Sequence, residues 1–332
     1  MSSPHEALLA LLADGAPHPV EELATQLGLG RDALPGLVHE LRERGVAVAE
    51  VPVGGYRLPE AVELLDAGRI VDVARRRGTP LPQAVEVLFE IGSTNDYLVD
   101  ATPPPPGRPR IVLAELQHAG RGRRGRSWLA PFGSGLTFSV AWTFPGTPPG
   151  LAALGLALGV AVAEALRGLG LAEARLKWPN DVAWRGRKLG GLLLQLRTEA
   201  GGGATVVAGL GLNLSLPQEA RATLATGGAL PVTDLHEAMA ASPPGRNELA
   251  AALASALLDA LAGFERAGFE PFAGRWAALD ALAGERVLVS DGSSDVEGEA
   301  CGVDAEGALQ LRVDGELRRF LSGDVSLRPS RP

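Results

Sequence analysis

Nine residues, "GRGRRGRSW" (120 to 128), place four arginines and three glycines together in a chain whose net charge is −8. Arginine offers a planar fork of donors matched to phosphate and carboxylate oxygens, and glycine lets a backbone approach closely what it binds. The combination suits a mobile loop folding over an anion, although a nucleic-acid patch or a solvated charge run has the same composition. Gly120, Gly122 and Gly125 also spell G-x-G-x-x-G. A dinucleotide-binding turn needs a helix directly after it and a ribose-binding acid about 20 residues on. "SWLAPFGSG" (127 to 135) contains Pro131, Gly133 and Gly135 and cannot open a helix, and no Asp or Glu lies between Glu115 and Glu164, which argues against such a turn.

The other basic residues are nearly all arginine: 29 against two lysines, Lys177 and Lys188, 11 positions apart. A composition that uses arginine wherever a generic positive charge suffices keeps lysine where a compact ammonium is required. Three of the four asparagines, Asn95, Asn180 and Asn213, fall in equally distinctive stretches.

Composition removes several function classes. One cysteine, Cys301, leaves no disulfide framework and suits a reducing cytoplasm. "ALLALLA" (7 to 13) has no basic residue before it and is not read as a signal peptide. The longest apolar run, 151 to 163, is 13 residues, short of the ~18 a membrane span requires. The five histidines, at 5, 18, 39, 118 and 236, form no H-E-x-x-H or Cys/His cluster, so no metal ligands are assigned.

Three regions must position these residues. In the first, "VEELATQLGLGRDALPGLVHELRERG" (20 to 45) has apolar residues at helical spacing around a "GLG" turn, and "VAVAEVPVGGYRL" (46 to 58) reads as two strands about a Gly-Gly turn, a winged helix-turn-helix. The middle carries strands at "AVEVLFEI", "RIVLAEL", "LTFSVAWTF", "ARLKW", "DVAW", "LGGLLLQLR" and "TVVAGLGLNL", with helices at 151 to 169 and 247 to 268 and a Pro-rich surface linker at 102 to 110. Turns join most of these strands, which predicts a mixed α+β sheet. From about 280, "RVLVS", "GEACGV", "ALQLRV" and "ELRRFL" predict a small barrel.

In order and spacing, "STN" (93 to 95), "AELQHAGRGRRGRSW" (114 to 128), "PFGSGL" (131 to 136), "KWPND" (177 to 181), "RKLGGLLLQ" (187 to 195) and "GLGLN" (209 to 213) resemble the biotin protein ligases, in the longer form with an N-terminal winged helix. The likeness continues to "SGDVSLRP" near the end of the chain. It implies a winged helix-turn-helix over 1–62, a mixed-sheet biotin/lipoate-ligase-type catalytic domain over 63–278 and a C-terminal SH3-like β-barrel over 279–332. The implied activity uses ATP and Mg²⁺ to convert biotin to biotinyl-5'-adenylate, then passes biotin to a lysine on the carrier domain of a biotin-dependent carboxylase. Chemistry and resemblance agree about the loop. A carboxylate attacks the α-phosphate, charge develops on phosphoryl oxygens and departing pyrophosphate, and a closing loop also shields the mixed anhydride from water.

Carried over by position, Ser93, Thr94 and Gln117 resemble the polar groups that read the biotin ureido ring, with Asn95 in the same turn. Arg121 and Arg123, with the Gly120 and Gly122 backbone, match the loop that clamps biotin and phosphate, and Arg123 and Lys177 are the catalytic candidates. Lys177 matches the lysine that serves both the biotin carboxylate and the phosphate. Trp128 is similar to the aromatic packed on the adenylate, or is a core tryptophan. Asn180 and Asp181 resemble the pair contacting nucleotide and metal, with a structural cap as the alternative for Asp181. Lys188, Gly191 and Asn213 match positions lining the site, with a salt bridge as the alternative for Lys188 and close packing for Gly191.

A lipoate-attaching enzyme shares the chemistry but lacks the pairing of "GRGRRGRSW" with "KWPND"; a biotin sensor without ligase activity would not need Arg123 and Lys177. Members of the long form often repress biotin genes and dimerise through the central sheet, which implies operator DNA and a homodimer on binding biotinyl-adenylate. Residues 1 to 60, however, carry four arginines against nine carboxylates, a net of −5. Only Arg31 and Arg57 are placed for DNA, and phosphate neutralisation dominates DNA affinity, so weak operator binding is expected.

Overall fold

The computed structural model describes residues 3–52, 54–79, 81–82, 84–198, 203–225, 231–239, 243–290, 295–321 and 326–329. Three helices, α1 (Pro4–Leu12), α2 (Val20–Leu27) and α3 (Leu34–Glu43), stand with three short strands, β1 (His18–Pro19), β2 (Ala49–Val51) and β3 (Gly55–Arg57), joined in the order β1-β3-β2. A capping box between Ser3 and Glu6 starts α1. Leu8, Leu12, Leu23, Leu34, Val38 and Leu41 recur at helical spacing and meet in one core. Leu116 belongs to that core, and Phe89 and Phe132 pack on it, so the unit rests on the next region.

The middle region contains α4 (Ala67–Arg76), β4 (Val85–Ile91), α5 (Thr94–Asp100), β5 (Arg110–Gln117), β6 (Gly135–Phe144), α6 (Leu154–Gly168), β7 (Arg175–Lys177), β8 (Asp181–Trp184), β9 (Arg187–Thr198), β10 (Ala204–Asn213), α7 (Gln218–Ala225), α8 (Leu235–Ala238), α9 (Arg246–Ala267) and α10 (Glu270–Leu279). The seven strands run in the order β4-β5-β6-β10-β9-β8-β7, with β4 and β5 parallel and every other pair antiparallel. The sheet is mixed, as turn-linked strands predict. Leu151–Ala153 forms a 3-10 turn, so α6 begins at Leu154 rather than 151. The Ser93–Asn95 stretch, read as a turn, opens α5, a helix of seven residues with too little periodicity to be legible.

Alternation assigns the two faces of the sheet. Phe138, Val140, Val206, Ala208, Leu210 and Leu212 enter the main core with α6 and α9, while Val112, Ala141 and Val207 meet Leu98 of α5 on the other face. Leu151–Gly168 and Arg246–Ala267 are long and apolar enough to cross a membrane by length and composition, and both are mostly buried within the protein. Glu115 of β5 and Arg246 of α9 form an ion pair at 2.7 Å with side chains 6% and 8% exposed. Glu115 also accepts from the Leu65 amide and Arg246 donates to the Glu63 carbonyl, which binds the segment after β3 to the sheet.

The last strands, β11 (Arg286–Ser290), β12 (Asp295–Val303), β13 (Leu309–Val313), β14 (Glu316–Phe320) and β15 (Ser326–Pro329), form one antiparallel sheet in the order β14-β13-β12-β11-β15. Among the described residues, the strands that the sequence reads as a small barrel are hydrogen-bonded in this one sheet, with β14 and β15 at its two ends. Val287, Val289, Leu309 and Leu311 join the main core, and the Trp178 indole donates to the Gly307 carbonyl at 3.1 Å. Of the closing "SGDVSLRP", residues 322–325 lie outside the described residues.

Candidate active site

A cavity of about 630 Å³ opens on the α5 face of the large sheet. Its floor follows from strand register. Thr137, Gly211, Gly191 and Asp181 form one cross-strand row over β6, β10, β9 and β8, and Ser139, Gly209 and Leu193 form the next. At the cavity end of β10, Leu210 and Leu212 go to the core, and Gly209 and Gly211 lie between them toward the cavity. A Cβ on Gly209 would stand 2.1 Å from Asn95 Oδ1, and one on Gly211 would stand 2.3 Å from Trp128 Cε2. Such distances are impossible for real side chains, so both glycines are required for what lies above them.

Ser93, Thr94 and Asn95 are 3%, 3% and 4% exposed at the start of α5. Ser93 Oγ caps the helix by accepting from the Asp96 amide. The Thr94 amide donates to Gln117 Oε1 at 2.7 Å, joining α5 to the end of β5. Thr94 Oγ1 lies 2.7 Å from Ser139 Oγ, which donates to Asn95 Oδ1 at 2.6 Å. Asn95 Nδ2 donates to Gln195 Oε1 at 2.8 Å and to the Leu193 carbonyl at 3.3 Å. This buried polar cluster is satisfied by the chain's own groups.

The arginine stretch forms a hairpin over the cavity. The Trp128 amide donates to the Gly120 carbonyl at 2.8 Å and the Gly122 amide to the Arg126 carbonyl at 2.6 Å. Arg124 at φ 58 and Gly125 at φ 69 turn the tip. Two side chains tie the hairpin to the site, Arg121 Nη1 to Asp96 Oδ1 at 2.5 Å and Arg123 Nη1 to Asn180 Oδ1 at 3.2 Å. Asn180 Nδ2 in turn donates to the Leu192 carbonyl at 2.7 Å. Lys177, 8% exposed, ends β7 opposite Asp181. Lys188 Nζ lies 2.6 Å from Asp181 Oδ1 and 5.7 Å from the Trp128 ring centre, so the salt-bridge alternative for Lys188 is realised while it still lines the cavity.

The fold therefore gathers Ser93, Thr94, Asn95, Gln117, Arg121, Gly122, Arg123, Trp128, Lys177, Asn180, Asp181, Lys188, Gly191 and Asn213 around one cavity. Gly120 sits behind its wall, where a Cβ would be 2.5 Å from the Trp128 carbonyl oxygen. Trp128 is half-buried and lies on Gly211 at the cavity, so it is not a tryptophan of the hydrophobic core. Asn213 faces inward through a bond from Nδ2 to the Thr233 carbonyl at 3.0 Å. Arg31 and Arg57 are exposed on the N-terminal unit, with Arg31 paired to Glu21 at 2.9 Å. Sequence reasoning missed Asp96, Ser139 and Gln195. Asp96 directly follows "STN" and Gln195 closes "RKLGGLLLQ", so both lay at the edge of a motif; Ser139 is an ordinary strand residue without one.

Asp181 is the one carboxylate lining the cavity, and no group of three His, Cys, Asp or Glu that could hold a metal exists among the described residues. That donor set fits Mg²⁺ carried mainly by nucleotide phosphates with one protein carboxylate.

The "Biotin/lipoate A/B protein ligase family" matches residues 90–213, and the "Biotin protein ligase C terminal domain" matches 283–328. "Bifunctional ligase/repressor BirA" of Salmonella typhimurium is 39% identical over 97% of this chain and 96% of its own length, and that of Escherichia coli is 38% identical over the same shares. The biotin protein ligase of Aquifex aeolicus, solved with biotin and ATP, superimposes with a TM-score of 0.64 at 28% identity, covering 75% of this chain and 100% of that one.

Proposed function

The chain belongs to the biotin protein ligase family, and on that premise we propose that the cavity on the α5 face makes biotinyl-5'-adenylate and passes the biotin to a carrier-domain lysine. The enzyme is an ATP-dependent biotin ligase. The observation that carries the residue assignments is the convergence of a neutral polar end, at Ser93, Thr94 and Gln117, with both lysines and the arginine hairpin on a single cavity. Thr94 and Gln117 read the ureido ring, with Ser93 and Asn95 holding that end in shape. Lys177 and Arg123 hold the biotin carboxylate against the α-phosphate. One carboxylate oxygen attacks phosphorus, the bond to the bridging pyrophosphate oxygen breaks, and positive charge in the wall stabilises the oxygens that gain charge. Asp181 and Asn180 would hold Mg²⁺ brought with ATP, which would supply neutralisation of phosphate charge there. Trp128, Lys188 and Asn213 line the nucleotide end.

In the second step a neutral carrier-lysine amine attacks the acyl carbon and AMP departs. The hairpin over the cavity, held by Arg121 to Asp96 and Arg123 to Asn180, keeps water from the anhydride until then. Incubation with biotin, Mg-ATP and a carrier domain tests the whole reading: biotin bound covalently to the carrier supports it, and absence of biotinylation refutes it.

We take residues 1–62 as a winged-helix unit, 63–278 as the catalytic domain and 279–332 as an SH3-like barrel. The relatives named ligase/repressor, together with the helix and strand order at the N-terminus, support a second role as a biotin-responsive repressor with Arg31 and Arg57 on DNA. Homodimer formation on adenylate binding rests on the family resemblance. The single cysteine is in keeping with a cytoplasmic enzyme.

A further inference from the structure

At the polar end of the cavity the hydrogen bonds have a direction, and it can be followed proton by proton. The Leu193 carbonyl carries no proton, so the Asn95 arm 3.3 Å from it is the Nδ2 amide, which also donates to Gln195 Oε1 at 2.8 Å. The other arm, Oδ1, only accepts. Ser139 Oγ, 2.6 Å away and fully buried, must therefore spend its one proton on Asn95. Thr94 Oγ1, 2.7 Å from Ser139 Oγ, must then donate its own proton to Ser139, leaving only lone pairs for the cavity it lines. The same reasoning fixes Gln117. Its Oε1 accepts from the Thr94 amide at 2.7 Å, so its remaining arm, Nε2, only donates.

We propose that Ser139 and Asn95, held by Leu193 and Gln195, are specificity-determining positioning residues that polarise this end of the cavity by making the Thr94 hydroxyl an acceptor only, beside a Gln117 that the Thr94 amide has already made a donor only. A cyclic urea presents an N–H beside a C=O and satisfies both. A cyclic carbamate with oxygen in place of the N–H facing Thr94 has the same shape but sets lone pair against lone pair. Gly209 is part of the device, because a Cβ there would displace Asn95 Oδ1. The inference rests on the reading that this end of the cavity holds the ureido ring.

The test uses the full-length protein and compares the dissociation constant of biotin with those of the two carbamate analogues in which one ureido N–H is replaced by oxygen. The wild type should bind the less favoured regioisomer more weakly than biotin by about 30-fold or more, the cost of an unsatisfied buried polar contact. Thr94→Val removes the acceptor, so biotin should weaken by about tenfold and the ratio should fall toward 1. In Ser139→Ala the Thr94 hydroxyl can turn and donate, so the ratio should drop below about fivefold even if both affinities fall. A merely structural role for Ser139 would weaken all ligands together and preserve the ratio, which would overturn the proposal. Unchanged biotin affinity in Thr94→Val would instead refute the assignment of the ureido ring to this end, and the proposal with it. If Ser139→Ala does not melt cooperatively, Ser139→Cys, which keeps the volume and weakens the donor, is measured in its place with the same expected fall in ratio.

Discussion

Replacing Gly211 by alanine separates the hairpin over the cavity from the sheet beneath it. Gly211 lies within β10, an inner strand of the sheet, paired with Thr137 on one side and Gly191 on the other, so its backbone cannot retreat. The added methyl would meet Trp128 Cε2 at 2.3 Å, Cζ2 at 2.6 Å and Nε1 at 2.7 Å. The indole must therefore lift by about 1 Å to recover ordinary van der Waals separation. Trp128 is tied through its amide to Gly120, so the movement is passed to the base of the hairpin carrying Arg121 and Arg123. A displacement of about 1 Å in positioning groups costs about 100-fold in rate. Gly211→Ala should lose about that factor in kcat/KM for biotin-dependent ATP–pyrophosphate exchange, while its Tm stays within about 4 °C of wild type, the shift of about 1 kcal/mol in a chain of this size. Exchange within threefold of wild type would refute the reasoning. A large fall in Tm would show that the strand gave way and not the loop.

Lys177→Arg keeps the charge but replaces a compact ammonium with a bulkier fork in a wall position 8% exposed, so its exchange activity should be nearly as low as that of Lys177→Ala. Arg246→Ala leaves Glu115 charged and buried and should cost about 3–5 kcal/mol in urea unfolding, whereas Arg246→Met combined with Glu115→Gln should recover most of that loss. Burial holds the Asp280 carboxyl above its ordinary value of 3.8, which penalises its charged form in the folded state. Asp280→Asn should therefore be more stable than wild type near neutral pH, with the gain shrinking as pH falls through the raised value and gone below 3.8; a pH-independent difference in melting would contradict this. In operator titrations, log K against log salt should have a shallow slope of about −2 per protomer, as two arginines would give. A slope several times steeper would place phosphate contacts beyond Arg31 and Arg57.

Much of the chemistry was legible in order and residue type. The clustering of arginine with glycine in residues 120–128, the restriction of lysine to positions 177 and 188, and the apolar run "TVVAGLGLNL" marked a loop for an anion, two wall residues and a strand. Those are local properties, set by composition within a few residues and by the two-residue period of a strand. What a partner strand or helix contributes was not legible. Ser139 has no distinguishing neighbours in sequence, and Gln195, at the end of "RKLGGLLLQ", carries no mark of its partner; they join the polarising chain only because register sets Ser139 beside Gly209 and brings Gln195 within reach of Asn95. Lys188 could be a phosphate ligand or an ion pair until β8 and β9 brought it 2.6 Å from Asp181. The union of Glu115 with Arg246, 131 residues away, depended on the packing of α9 against β5. Sequence determined which groups were available and which face of each element they occupied; tertiary structure decided which groups met, because hydrogen-bond direction and charge pairing depend on ångström distances between segments that are remote along the chain.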